Sequence, residues 1–485
     1  MILRGGFPPL YLYLSGDIMK KLKTLLLILF SLLLLMMSCP LTAFSATAFD
    51  IEDGVLISYS GSERSVTIPS EVYYIADSAF EGNSSITSVN LNNTSVIGNK
   101  AFANCTSLSV VTSTDKVSSC GAYAFYNTPF QDSYSTKSLV LGSVLVSSSE
   151  SGGVVIDSSV ASIAPYAFVS NEKLTSVFIG DSVFSIGEGA FYGCSALKSV
   201  TVSKYVSYIG AFAFEDTPYL SSVEDEFLVL GNGILVDAST SESEVVIPEN
   251  VRQIASGAFY KNKNIESIVV TEGVTSIGMR AFSECTALKN IDLASSLVSI
   301  DNEAFSGCAA LQNVVIPKGV KLIGDSAFLG CTSLQTAVLR GSADVPAGLF
   351  AGCSSLESVM LSNGITSIGE YAFYNCSSLF EISVPATVES ITTSAFSNAG
   401  EASVWCKLNS YANSFCEDKD IPSYSIGDAN LDGVVNVRDA TEVQKATASL
   451  VSMSFSANLR GDADFNGEIN VRDATTIQKI VAGIE

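Results

Sequence analysis

The chain has 485 residues, too many for one ordinary core, so several domains or a repeat array are expected. It carries 49 acidic against 26 basic residues, a formal charge of −23 that would be repelled by nucleic acid and suits an exported or cation-binding protein. Histidine is absent, which removes the Ser-His-Asp and Cys-His nucleophile pairs, a histidine general base and the usual zinc ligand sets.

The first 48 residues read as an export signal. Met19-Lys20-Lys21-Leu22-Lys23 is a basic start, Thr24 to Met37 is a leucine-dominated run, and Ala46-Thr47-Ala48 offers a small-residue cleavage site. The apolar run is shorter than the roughly 20 residues of a spanning helix, so no transmembrane anchor is expected. Translation is expected to start at Met19. Ser38-Cys39 leaves a lipoprotein anchor as the lesser alternative, because Met36 stands where that motif prefers a branched aliphatic.

From residue 49 a fixed period takes over. Phenylalanine, nearly always after alanine, recurs at 80, 102, 125, 168, 191, 214, 259, 282, 305, 328, 350, 373 and 396, in steps of 22 or 23 except for two of 43 and 45. An aliphatic residue sits five before most of these (Ile75, Ile186, Ile277, Ile323, Ile368), and Leu or Ile six after (Ile86, Leu108, Leu197, Leu311, Leu379). Apolar residues at nine and eleven after the Phe, such as Val314 and Ile316, mark a short strand. The Ala-Phe step predicts a single helical or 3₁₀ turn. One such unit buries too little to offset the entropy of ordering it, so the units must stack on a shared core. Within the long steps, residues 139–163 and 228–254 read as hairpin-like interruptions that divide the array into blocks of three, three and seven repeats. Asp53-Gly54-Val55-Leu56-Ile57 opens the first block in the same way, and Thr128-Pro129 and Thr217-Pro218 close the first two.

Eleven cysteines in an exported chain invite a disulfide framework, but their positions point elsewhere. Cys105, Cys194, Cys285, Cys308, Cys331, Cys353 and Cys376 all lie three residues after the repeat Phe, a place that Asn83, Asn171, Asn262, Thr128 and Thr217 take in other repeats. A position shared by Cys, Asn and Thr calls for a small side chain that meets backbone polar groups. A Cys406–Cys416 pair stays open as the lesser alternative to free thiols. Glu224-Asp225-Glu226 reads as a solvated turn rather than a catalytic pair. Ten residues after the Phe, Val269, Val315, Val338 and Met360 should face outward as an apolar patch, either a partner surface or a seat for a neighbouring segment.

The pattern Val-x-x-Ile-Gly-x-x-Ala-Phe-x-x-Cys-x-x-Leu-x-x-[Val/Ile]-x-[Ile/Leu] resembles the bacterial BspA-like leucine-rich repeats over residues 49–425. The stretch from Trp405 to Tyr424, with Ser410-Tyr411-Ala412 and Ile421-Pro422, resembles the capping helix and last strand of such arrays. The resemblance implies a right-handed leucine-rich-repeat solenoid with a parallel β-sheet and short helical turns. It implies adhesion, recognition or display rather than a reaction.

From residue 427 the pattern changes. Asp428, Asn430, Asp432, Val434, Asn436 and Asp439 occupy slots one, three, five, seven, nine and twelve of a calcium loop, with Gly433 at six. Asp462, Asp464, Asn466, Glu468, Asn470 and Asp473 repeat the set 34 residues later, with Gly467 at six. Carboxylate, amide and carbonyl oxygens at these slots suit two Ca2+ ions; Val434 and Glu468 would offer backbone carbonyls, and Asn436 and Asn470 would bind directly or through water. Each loop leads into a predicted helix, over 440–450 and 474–484, and no EF-hand helix is expected ahead of either loop.

This tandem closely resembles a type I dockerin over residues 426–485, a small all-α EF-hand-like domain. The resemblance implies a cohesin module of a scaffold protein as partner. The positions it assigns to cohesin contact are Val437, Arg438, Gln444 and Lys445 in the first copy, and Val471, Arg472, Gln478 and Lys479 in the second. Many relatives carry small hydroxyl residues in the first pair, so Val-Arg leaves the cohesin class open. Because both copies present the same four residues, internal symmetry allows two binding orientations. The expected protein is a secreted, non-catalytic accessory of a cellulosome-type scaffold, with no catalytic residues, whose solenoid faces a polysaccharide, a cell surface or a neighbouring protein. The alternatives are a polysaccharide-acting enzyme with unrecognised catalytic residues and a cell-surface adhesion protein.

Overall fold

The computed structural model describes residues 48–222 and 226–484. The expected export signal with Met19 and Cys39 lies outside them, apart from its last residue, Ala48. Glu224 and Asp225 lie outside them as well.

Residues 49–425 form a parallel β-solenoid. Each turn supplies two strand tracks rather than the one sheet that the repeat pattern suggests. The longer strands follow the Leu position: Asn313–Ile316, Thr336–Leu339, Ser358–Leu361, Glu381–Val384, Ser403–Cys406 and Ser423–Ser425 pair in parallel in that order. Their register stacks Val314, Ala337, Val359, Ile382 and Val404 in one inward row. A second, narrower track comes from two-residue strands around the aliphatic position before the Phe, as in Ile254↔Ile277↔Ile300. Strands of two residues escape a sequence reading, because alternation needs at least one more position to show.

The expected helical turn at Ala-Phe takes a different form. Glu81 N–H donates to Ser78 O at 2.9 Å and Asn83 N–H to Phe80 O at 3.0 Å, both i→i−3 bonds of 3₁₀ type. Ser78 and Gly82 sit at φ 58° and 73°, however, and these left-handed residues stop the turns joining into a helix. The remaining N–H groups face along the solenoid: Phe80 N donates to Ala101 O and Phe102 N to Ala124 O, each at 2.8 Å. The bend thus forms a third ladder between turns.

That ladder aligns the phenylalanines. Phe80, Phe102 and Phe125 stack at 4.8 and 5.2 Å, Phe168, Phe191 and Phe214 at 4.9 and 5.3 Å, and Phe259 to Phe396 at 4.7 to 5.9 Å. The column breaks where the hairpins fall, Ser138–Leu141 with Val144–Ser148 and Leu228–Leu230 with Ile234–Asp237. Two short helices, α1 (Pro129–Asp132) and α2 (Pro218–Ser221), end the first two blocks, and Phe130 and Tyr219 close the ring columns edge-on.

The position three after the Phe marks place within a block. In mid-block, cysteine thiols donate to the previous turn's Phe carbonyl, Cys105 to Phe80 at 3.1 Å and Cys308 to Phe282 at 3.1 Å among them. At a block start no preceding Phe stands in register, and the longer amides of Asn83, Asn171 and Asn262 reach Gly61, Glu150 and Thr240 carbonyls at 3.0, 2.7 and 3.0 Å. At a block end, Thr128 and Thr217 cap α1 and α2 through their hydroxyls. The ten cysteines among the described residues, Cys406 and Cys416 included, are free and buried. Helix α3 (Tyr411–Asp418), capped by Ser410, and the strand Ser423–Ser425 end the array.

The remaining chain does not hang free. Three further helices follow, α4 (Val437–Thr447), α5 (Phe455–Gly461) and α6 (Val471–Val481). Helix α5 lies across Ser358–Leu361 and Glu381–Val384. Leu459 and Phe465 bury Val338, Met360 and Trp405, so a neighbouring segment covers half of the outward apolar patch. Val269 and Val315 stay 37% and 43% exposed. Among the described residues no helix is long and apolar enough to cross a membrane.

Candidate calcium and docking site

The two loops fold alike because the same polar side chains bind the same backbone groups. Asp428 Oδ2 accepts from Gly433 N–H at 3.2 Å, and Asp462 Oδ2 from Gly467 N–H at 2.9 Å. Both glycines sit at φ +83°, the left-handed turn that slot six requires. At Gly433 a Cβ would meet nothing within 4 Å, so the backbone angle alone selects glycine. At Gly467 a Cβ would also come within 2.9 Å of Arg340 and Ser362 on the solenoid.

Slot twelve is shared between loop and helix. Asp439 Oδ1 and Oδ2 accept from Asn430 N–H at 3.0 Å and Asn436 N–H at 2.8 Å; Asp473 does the same with Asp464 N–H at 3.1 Å and Asn470 N–H at 2.9 Å. Asn436 and Asn470 are N-caps, with the aspartates at N3 completing capping boxes. Helices α4 and α6 therefore begin at Val437 and Val471, three residues before the expected starts. The side-chain oxygens of Asn436 and Asn470 accept from Arg438 and Arg472 N–H at 2.9 Å.

Helix α5 (Phe455–Gly461) stands where the sequence expectation places no helix. It leads straight into Asp462, so the second loop is flanked by helices on both sides, while the first follows a strand. Ser454 caps α5, and Phe455 and Leu459, four apart, are the sequence signal that would have disclosed it.

The oxygens present fit a hard divalent cation. Oxygens of Asp462, Asp464 and Asp473 all lie within 4.8 Å of one another. Burial, reinforced by the charges of Asp473 and Asp464, pushes the Asp462 carboxyl up to about 8 against the N–H groups of Gly467 and Asn466. Burial likewise raises Asp473 to about 6 and lifts Asp439 above the usual carboxylate range. In the first loop Asp428 is 1% exposed, and its Oδ1 is buried with no hydrogen-bond partner. Crowded, buried carboxylates with an orphaned oxygen are unfavourable alone and suit a cation that neutralises them.

The structure also ties these loops to the solenoid through residues that the sequence pattern did not single out. Arg460 Nε lies 3.2 Å from Glu381 Oε2, its Nη1 lies 3.2 Å from Asp428 Oδ2, and its guanidinium sits 4.2 Å from the Trp405 ring centroid. Asn363 N–H donates to Phe465 O at 2.7 Å, and Asn363 Nδ2 to Asp464 O. Gly427 N–H donates to Arg460 O at 2.7 Å. The two helices that follow the loops pack on each other around Ala440, Val443, Ala474 and Ile477. Val437, Arg438, Gln444, Lys445, Val471, Arg472, Gln478 and Lys479 are all exposed.

Six copies of the model for the BspA type leucine rich repeat region match residues 51–143, 146–228, 237–346 and 343–410, and the dockerin type I domain model matches 426–482. No curated protein matches the chain. Among solved structures, a leucine rich cell surface protein of Faecalibacterium prausnitzii is 24% identical, covering 72% of this chain and 93% of its own, with a TM-score of 0.31. A leucine-rich repeat protein of Bacteroides ovatus is 23% identical, with 70% and 93% covered and a TM-score of 0.31. The families matched are a repeat and a docking domain rather than enzyme families. The chain belongs to the BspA-type leucine-rich-repeat family and ends in a type I dockerin domain, a calcium-binding module that implies a cohesin partner and cellulosome-type assembly.

Proposed function

We propose that this is a secreted, non-catalytic accessory protein. Two calcium ions organise residues 426–485 for attachment to a cohesin, and the solenoid, residues 49–425, presents a recognition surface during polysaccharide breakdown. Asp428, Asn430, Asp432, Asn436, Asp439 and the Val434 carbonyl hold the first ion. Asp462, Asp464, Asn466, Asn470, Asp473 and the Glu468 carbonyl hold the second. Either Val437, Arg438, Gln444 and Lys445 or their second-copy counterparts Val471, Arg472, Gln478 and Lys479 meet the cohesin, one copy at a time. The observation that carries this reading is the pair of loops with matching hydrogen bonds, each with a nearly fully buried slot-one aspartate that accepts from the slot-six N–H.

The calcium supplies charge neutralisation and a fixed coordination shell; the protein supplies oxygens whose burial is unfavourable without it. Calorimetric calcium titration of the full chain, beside Asp428→Ala, Asp462→Ala and the double variant, tests the ligands: each single variant should lose one site. Capture of the calcium-loaded chain by a panel of recombinant cohesin modules tests the partner. Undiminished calcium uptake by the double variant would overturn the metal assignment, and reducing-sugar release from plant polysaccharides would overturn the non-catalytic reading.

A further inference from the structure

The two dockerin copies share Val-Arg and Gln-Lys, and sequence symmetry alone leaves either free to meet a partner. The solenoid removes that symmetry. The copies differ at Glu442 against Thr476 and at Ala446 against Ile480. On each helix these positions share one face with the cations: Arg438, Glu442, Lys445 and Ala446 are spaced i, i+4, i+7, i+8, as are Arg472, Thr476, Lys479 and Ile480.

On α6 that face turns to the solenoid. Ile480 packs on the cluster that Leu459 and Phe465 form with Val338, Met360 and Trp405, and Thr476 and Ile480 border a cavity of about 900 Å³ with Leu408 and Tyr411. Arg472 lines a cleft of about 720 Å³ with Asp292, Val315 and Lys318. The loop before it is held by Asn363 and by the Arg340–Glu468 pair at 3.8 Å. On α4 the same face carries Glu442, paired to Lys445 at 3.2 Å. The solenoid contacts described above run through the second loop, α5 and α6, and Arg460 reaches the first loop only at Asp428.

Side-chain exposure does not separate the copies, since Val437 and Val471 are 62% and 61% exposed. Access for a folded module does. A stable interface covers roughly 800 Å² on each partner, and on the second copy the solenoid already lines the cleft beside Arg472 and the cavity beside Thr476 and Ile480. We infer that the solenoid commits the second copy to the chain's own sheet, so that cohesin docks in one orientation, on the α4 copy through Arg438 and Lys445. This rests on the cohesin reading above.

The test uses the full calcium-loaded chain and the cohesin captured best by the panel, with matched calcium titrations and circular dichroism to confirm folding. Arg438→Glu with Lys445→Glu should weaken capture roughly 100-fold or more, while Arg472→Glu with Lys479→Glu should change it less than about threefold. Equal losses, or retention by both variants, would overturn the single orientation and leave the cohesin reading intact. A parent chain that captures no cohesin overturns both.

Discussion

Arg460 carries a charge onto a carboxylate that water does not reach. Its guanidinium is 3.2 Å from Glu381, which is 0% exposed and whose other oxygen accepts from Ser358 Oγ at 3.0 Å. Arg460 itself is 21% exposed, so the pair is largely desolvated. Removing one partner of such a pair leaves an uncompensated charge. Arg460→Ala should therefore destabilise the seating of residues 426–484 by about 3–5 kcal/mol, and Glu381→Gln by less. Chemical denaturation followed at the helical signal measures both. An Arg460→Ala midpoint equal to the parent's would refute the pairing as a stabilising contact.

Calcium removal should separate the two parts of the chain. Chelation with EDTA is expected to unfold α4, α5 and α6 while leaving the solenoid's parallel ladders intact, because a preformed site is not stable without its ion. Far-UV circular dichroism should lose its helical component and keep its β component. Trp405, beneath Arg460, should report the same event through its fluorescence, being the sole tryptophan. An unchanged spectrum would contradict this.

The repeat was legible because thirteen phenylalanines state the same requirement over and over, and the Asn, Cys and Thr after them state how each turn ends. The calcium loops were legible because hard-cation chemistry fixes residue types at fixed slots. The Arg460–Glu381 pair was not, since it joins residues 79 apart and occurs once, so no period exposes it. Helix α5 was masked by its length of seven residues. The starts of α4 and α6 fall three residues ahead of the expected ones because the slot-nine asparagine is an N-cap, which loop spacing alone does not show.

Within the ring column, Phe305 is flanked on both sides and loses two stacked neighbours on truncation. It stacks on Phe282 and Phe328 at 5.1 Å each and is fully buried. Phe305→Ala should cost about 3–5 kcal/mol. Phe396, at the end of the column with one stacked neighbour and partial exposure, should cost less. Thermal or urea denaturation compares them; equal costs would argue that stacking and burial do not set the difference.

The buried thiols give a pH dependence of definite sign. Burial pushes Cys105 and Cys194 up to about 11 and Cys120 and Cys285 to about 12, from an ordinary 9.0. Below pH 9 both folded and unfolded thiols are neutral, and stability is fully present. Above it the unfolded thiols ionise while the folded ones do not, so stability falls from about pH 9 toward 12. Melting temperatures at pH 8, 9 and 10 should decline over that interval, and thiol reagents should label the native protein slowly until it unfolds. A melting temperature that rises across the range would contradict the assignment.

The chemistry at the block boundaries sets what lengths this protein can have. Each block brings its own opening amide, and the first two bring a Thr-Pro helix that seals the stacked rings. Excising one 23-residue turn from the seven-turn block would shorten the molecule and rejoin like with like. The same cut at Asn171 or Thr217 would remove an end without removing the interior it protects. Whole blocks, and single interior turns, are the pieces by which such a chain can be lengthened or trimmed while its dockerin keeps the last strands as a foundation.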